Sequence, residues 1–138
     1  MELTVIRRVI LGVLLLGIVG LMAELFLLAH YDGFNQWIPL LALAAGLGAL
    51  ALDAARARWW TRGLLTFVML AFIGTGLLGV YFHFDGSRQF QQEMDPSMSG
   101  ITLAWHVLRA KSPPTLSPGT LVQMGILGLG YAYLRRTR

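Results

Sequence analysis

The chain has no cysteine. A disulfide framework, a thiolate metal site and thiol redox chemistry are therefore excluded, and cysteine usage gives no guide to compartment. Charge is scarce too: charged side chains make up 13% of the residues, against 56% for hydrophobic ones. A chain of 138 residues cannot hide that much apolar surface in one small soluble core, so the composition places it in a bilayer. Acids are the rarer sign, and the net charge is +4. The basic excess gathers at the ends of apolar runs and does not interleave with exposed aromatics. It reads as a topology signal, and no nucleic-acid partner is expected.

Several catalytic signatures are also missing. There is no Gly-x-Ser-x-Gly elbow and no phosphate-cradling loop of the Walker type. The Gly-rich stretch from Gly74 to Gly79 lies inside an apolar run, where glycines serve helix contact. His83, Asp85 and Ser87 are the residue types of nucleophilic catalysis, but alternate residues in one short stretch rarely converge. The chain is not expected to be an enzyme.

What is present is a set of apolar segments. A spanning helix needs about 20 mostly apolar residues at 1.5 Å each, and four segments qualify, over about 4–29, 37–56, 63–82 and 116–134. Pro39 and Pro118 fall near helix starts, where a missing amide hydrogen is tolerated. Arg7, Arg8, Arg56, Arg58, Arg62, Arg135, Arg136 and Arg138 flank one side, and Arg88, Arg109 and Lys111 the other. The positive-inside rule then puts both termini in the cytoplasm, as in a bacterial cytoplasmic membrane. The first segment has the charge and length of a signal peptide, but Glu24 follows "LMA", which favours an uncleaved helix.

Two octets stand out on the predicted outer side: "HYDGFNQW" from His30 and "HFDGSRQF" from His83. A shift of 53 residues superposes His30 on His83, Asp32 on Asp85, Gly33 on Gly86 and Gln36 on Gln89. With the matching helix layout, this suggests two copies of a helical hairpin, the second carrying an insertion over about 91–115. Asp-Gly after an apolar helix supplies a residue able to take positive φ and end it. The flanking aromatics suit the headgroup zone. The functional alternative is that His30 and His83 hold a metal ion or a haem iron. His83 stands above Gly79 and Gly76, a packing stripe of small residues, and is expected to face inward.

Glu24 lies about 9 Å below His30 along the first helix, on a face with Gly17 and Gly20. An acid at that depth costs about 3 kcal/mol unless it is paired, protonated or wetted, so it is expected to point into the bundle. The insertion should form a short helix after Ser97 or Ser99, with Ile101, Ala104, Trp105 and Leu108 on one face and Thr102, His106 and Arg109 on another. That pattern suits an amphipathic helix on the outer membrane surface, or a lid. His30, His83, His106 and Glu24 are the metal-ligand candidates; the three His with Met94 and Met98 would suit a copper-like ion, and the outer carboxylates (Asp32, Asp85, Glu93 and Asp95) a harder divalent one, although no compact ligand spacing is present.

The expected fold is an all-α integral membrane bundle of four helices, built as two repeated hairpins with a short amphipathic helix in the loop between the third and fourth. The small-residue stripes (Ala42, Ala45, Gly46 and Ala49; Gly74 to Gly79; Gly125 and Gly128) favour packing within the chain and against other subunits or a second copy. The expected role is a non-enzymatic accessory or scaffold subunit of a membrane complex, with an outer metal or haem site as the alternative. A transport path is the weakest reading, because the predicted midplane is almost wholly apolar.

Overall fold

The structure, a computed structural model, describes residues 2–110 and 114–135, so Lys111, Arg136 and Arg138 of the charge count lie outside the described residues. It is all-helical over the described residues: α1 (Glu2–Leu27), α2 (Phe34–Arg56), α3 (Trp59–Met94), α4 (Gly100–Leu108) and α5 (Gly119–Leu134). Three of these, α1, α2 and α3, are long and apolar enough to cross a membrane, while α5 is apolar but shorter. The chain divides into two compact units, and α3 contributes its first part to one and its second part to the other.

The first unit holds α1, α2, α3 as far as Thr75, and α5 from Leu121. Its core comes from helix-spaced positions: Leu43, Gly46, Leu50 and Asp53 of α2, Leu65, Met69 and Phe72 of α3, and Leu121, Gly125, Gly128 and Ala132 of α5 are all buried. Within lipid there is no hydrophobic drive to bring helices together, so close backbone approach and van der Waals packing must do it. Small residues face large ones accordingly. A side chain at Gly46 would run into the Phe72 ring, one at Gly128 into Met69, and one at Gly17 into Met124. At Gly125 a Cβ would lie 2.7 Å from the Met69 carbonyl oxygen, so α3 and α5 touch backbone to backbone there.

Helices α1 and α2 both end on an alanine in the left-handed region, Ala29 at φ 50° and Ala57 at φ 48°. After α1 the His30 N–H donates to Leu25 O at 2.8 Å and the Ala29 N–H to Phe26 O at 3.1 Å, a Schellman closure. The first octet therefore does not end α1 through its Asp-Gly pair. Gly33 is extended at φ −120° and instead precedes α2, where the N–H groups of Asp32 and Gly33 donate to Gln36 Oε1 at 2.8 and 3.3 Å. Because α2 starts at Phe34, Pro39 sits inside the helix rather than in the first turn expected for it.

The second unit comprises α3 from Gly76, α4 and the turns up to Thr120. Here the second octet departs from expectation, because His83 to Phe90 is continuous helix. Arg88 is the physical reason. Its Nη2 donates to Asp85 Oδ1 at 2.7 Å and its Nη1 to Gln92 Oε1 at 2.9 Å, while Gln89 Nε2 donates to Asp85 Oδ2 at 2.7 Å. These pairs at three- and four-residue spacing support a helix across Gly86, whose cost there is about 1 kcal/mol. Asn35, in the corresponding place of the first octet, lies in the first turn of α2 and has no guanidinium with which to bridge residues three and four away.

A turn follows α3, in which the Ser97 N–H and hydroxyl both donate to Asp95 Oδ1, at 3.0 and 2.6 Å. α4 then begins at Gly100, which takes φ 60°. Leu103 and Val107 are its buried residues, whereas both faces read from the sequence are turned outward: Ile101, Trp105, Leu108, Thr102, His106 and Arg109 are all exposed. The turns before α5 are tied down by the buried Thr115 hydroxyl, which donates to Val107 O at 2.8 Å, and by Pro118, which fills the space over Gly79.

Candidate functional site

The most connected polar cluster lies in the first unit, at the end of α2. Asp53 falls three residues after Leu50 on the buried face of that helix, and its side chain is 0% exposed. Arg135, just past α5, donates from Nη2 to the Asp53 backbone carbonyl at 2.9 Å. Its Nε stands 2.9 Å from Asp53 Oδ2 with the N–H turned off that line, so this second contact is an ion pair rather than a directed hydrogen bond. The other carboxylate oxygen is held by the Thr61 hydroxyl at 3.0 Å. That hydroxyl also lies 2.8 Å from Arg58 O and accepts the Arg58 N–H at 3.0 Å, which closes the first turn of α3. One carboxylate thus fastens the end of α2 to the start of α3 and the end of α5. Fully buried and paired, it has the features of a clasp.

Sequence reasoning passed over Asp53 and counted Arg135 only toward topology. A signal was available. Asp53 is an acid amid Arg56, Arg58 and Arg62, and it continues the small and apolar stripe of Gly46, Ala49 and Leu50.

The candidate ligands are placed differently. Glu24, expected to point into the bundle, is exposed on α1, and Gly20, expected in the same packing stripe, is exposed with open space beside it. Gly17 does pack, against Met124, and Gly76 is buried. His30 lies in the turn after α1, half-buried. His83, also half-buried, has Nδ1 3.1 Å from Pro114 O. His106 is exposed on α4. Among the described residues no three His, Asp or Glu side chains gather into a group that could hold a metal ion. Nor do His83, Asp85 and Ser87 converge: the Asp85 carboxylate is engaged by Arg88 and Gln89, and the buried Ser87 hydroxyl makes no hydrogen bond.

A cleft in the second unit is lined by Gln91 of α3 and by Trp105, His106, Arg109 and Ala110. The Arg109 guanidinium lies over the Trp105 ring, 5.9 Å from its centroid. Arg88 and Arg135 have carboxylate partners, whereas Arg109 has none among the described residues.

Comparison of the chain with models of protein families, with curated proteins and with solved structures finds no match.

Proposed function

We propose that this protein is a non-enzymatic accessory or scaffold subunit of a larger membrane complex, in which α1 with α2 and α3 with α5 cross the bilayer as two hairpins. The observation that carries the reading is the outer face of α2. Ala44, Gly48, Ala51 and Ala55 recur at helical spacing and are exposed, and nothing lies within 4 Å of where a Gly48 side chain would begin. The chain's own packing uses the opposite face, through Gly46, Ala49 and Leu50. A smooth, small-residue face gives lipid tails little to grip but lets another helix approach closely.

The Asp53–Arg135 pair supports a common side for the end of α5 and the α2–α3 turn, as the basic residues of that turn and of the C-terminal segment require for a cytoplasmic placement. The 16 residues of α5 rise about 24 Å, short of a hydrocarbon core of about 30 Å, a mismatch that local thinning of the bilayer absorbs.

The absence of cysteine makes the test clean. A single cysteine at Gly48 or Ala51 should crosslink to an associated polypeptide in native membranes, and Gly48→Leu should abolish co-purification while the chain still inserts. A chain that purifies alone from gentle extracts and carries a stoichiometric metal or haem would replace this reading with an outer ligand site involving His83 and its neighbours.

A further inference from the structure

We propose that the cleft formed by Gln91, Trp105, His106 and Arg109 binds the phosphate of an anionic phospholipid headgroup, with the acyl chains against the outer face of α4. The lining supplies hydrogen-bond donors: a guanidinium, an indole N–H, an imidazole and a carboxamide. Among the described residues no carboxylate lines it: Glu93, two residues on from Gln91, is not part of the lining, and Asp85 is engaged by Arg88 and Gln89, and Asp95 by Ser97. Arg109 is thus a cation without a carboxylate partner among the described residues, braced against an aromatic ring, with a planar fork suited to two phosphate oxygens.

The apolar half of the ligand is matched as well. Ile101, Trp105 and Leu108 follow one another at helical spacing and are 88%, 59% and 45% exposed, while α4 uses Leu103 and Val107 for its own packing. A Trp whose ring is apolar and whose N–H is polar belongs at the membrane–water boundary. Along α3, Gln91 lies about 13 Å beyond Phe82, the last residue of the apolar run, on the water side of it. A phosphate-bearing lipid therefore meets the charge, the aromatic and the apolar face together.

The test uses the full chain with Trp37, Trp59 and Trp60 replaced by Phe, so that Trp105 is the sole tryptophan and can be excited selectively beside the tyrosines, reconstituted in phosphatidylcholine vesicles. A small fraction of the lipid is either brominated phosphatidylglycerol or brominated phosphatidylcholine. The proposal expects the anionic lipid to quench Trp105 several-fold more strongly at equal mole fraction. That preference should disappear in Arg109→Gln, persist in weakened form in Arg109→Lys, and resist millimolar inorganic phosphate. Equal quenching by the two lipids in the parent protein would overturn it. So would no quenching by either, which would put Trp105 in water or under protein, and so would loss of the preference on adding inorganic phosphate, which would assign the cleft to the free ion.

Discussion

Removing one partner of the Asp53–Arg135 pair should cost unequal amounts depending on which partner goes. Asp53 is 0% exposed and Arg135 16% exposed on its side chain. Arg135→Gln leaves a carboxylate with no route to water, so it should cost about 4 kcal/mol, within the range for breaking a buried pair. Asp53→Ala leaves an arginine at a helix end that can swing toward the headgroups and water, so about 2 kcal/mol is expected. Loss of the Thr61 partner adds little, because that hydroxyl keeps the Arg58 carbonyl at 2.8 Å. The double variant Asp53→Ala/Arg135→Gln should cost well below the sum of the singles, with a coupling of about 2 kcal/mol or more. Reversible unfolding by SDS titration in mixed micelles, followed by circular dichroism, measures all three. Equal costs for the two single variants, or a double variant whose cost is their sum, would refute the clasp.

The left-handed alanines give a second expectation: Ala57→Gly relieves an αL residue and should stabilise the chain by about 1 kcal/mol in the same titration, whereas a loss would show that Ala57 does not hold that conformation. Glycines should divide by location. Gly125→Ala drives a methyl group toward the Met69 carbonyl and should cost about 1–3 kcal/mol, while Gly12→Ala, with open space around it, should be neutral or stabilising by up to about 1 kcal/mol. Asp95 supplies the pH expectation. The Ser97 hydroxyl, and after it the Ser97 N–H, hold its carboxyl below the usual value of 3.8, against a smaller desolvation effect. A depressed carboxyl favours the folded turn at pH above that usual value, and the benefit is lost as pH falls through the lower folded-state value. Carbon-detected NMR titration should place the Asp95 midpoint below 3.8 and move it part of the way back in Ser97→Ala; an unchanged midpoint in that variant would rule out the hydroxyl as the main cause.

The apolar helices were legible because the bilayer sets their length and composition directly. Their ends were less so. Asp85-Gly86 reads as a stop from the chain alone, and what overrides it is the placement of Arg88 and Gln89, whose side chains reach back to Asp85. The same Asp and Gln spacing in the first octet gives a different structure, with Gln36 accepting backbone N–H groups in a turn. Identical residues at identical spacing thus serve a cap in one place and a helix face in the other. Likeness between the octets carried no geometric information. The short helix of α4 was legible but not its inner side, since Leu103 and Val107 are no more apolar than Ile101 and Leu108, which it turns outward. Asp53 was hidden for another reason: its partner lies 82 residues away, a distance over which sequence periodicity says nothing.

That same separation sets an order of events during synthesis. Asp53 leaves the ribosome long before Arg135, and at roughly 5–20 residues per second the interval is roughly 4–16 s. For that time the end of α2 carries a carboxylate without its counterion. Until α5 arrives, the α2–α3 turn lacks the contact that ties it to that helix. Completion of the last helix becomes a checkpoint for the first unit. A chain cut short before Arg135 would keep Asp53 buried on the face of α2 without the ion pair that joins it to α5.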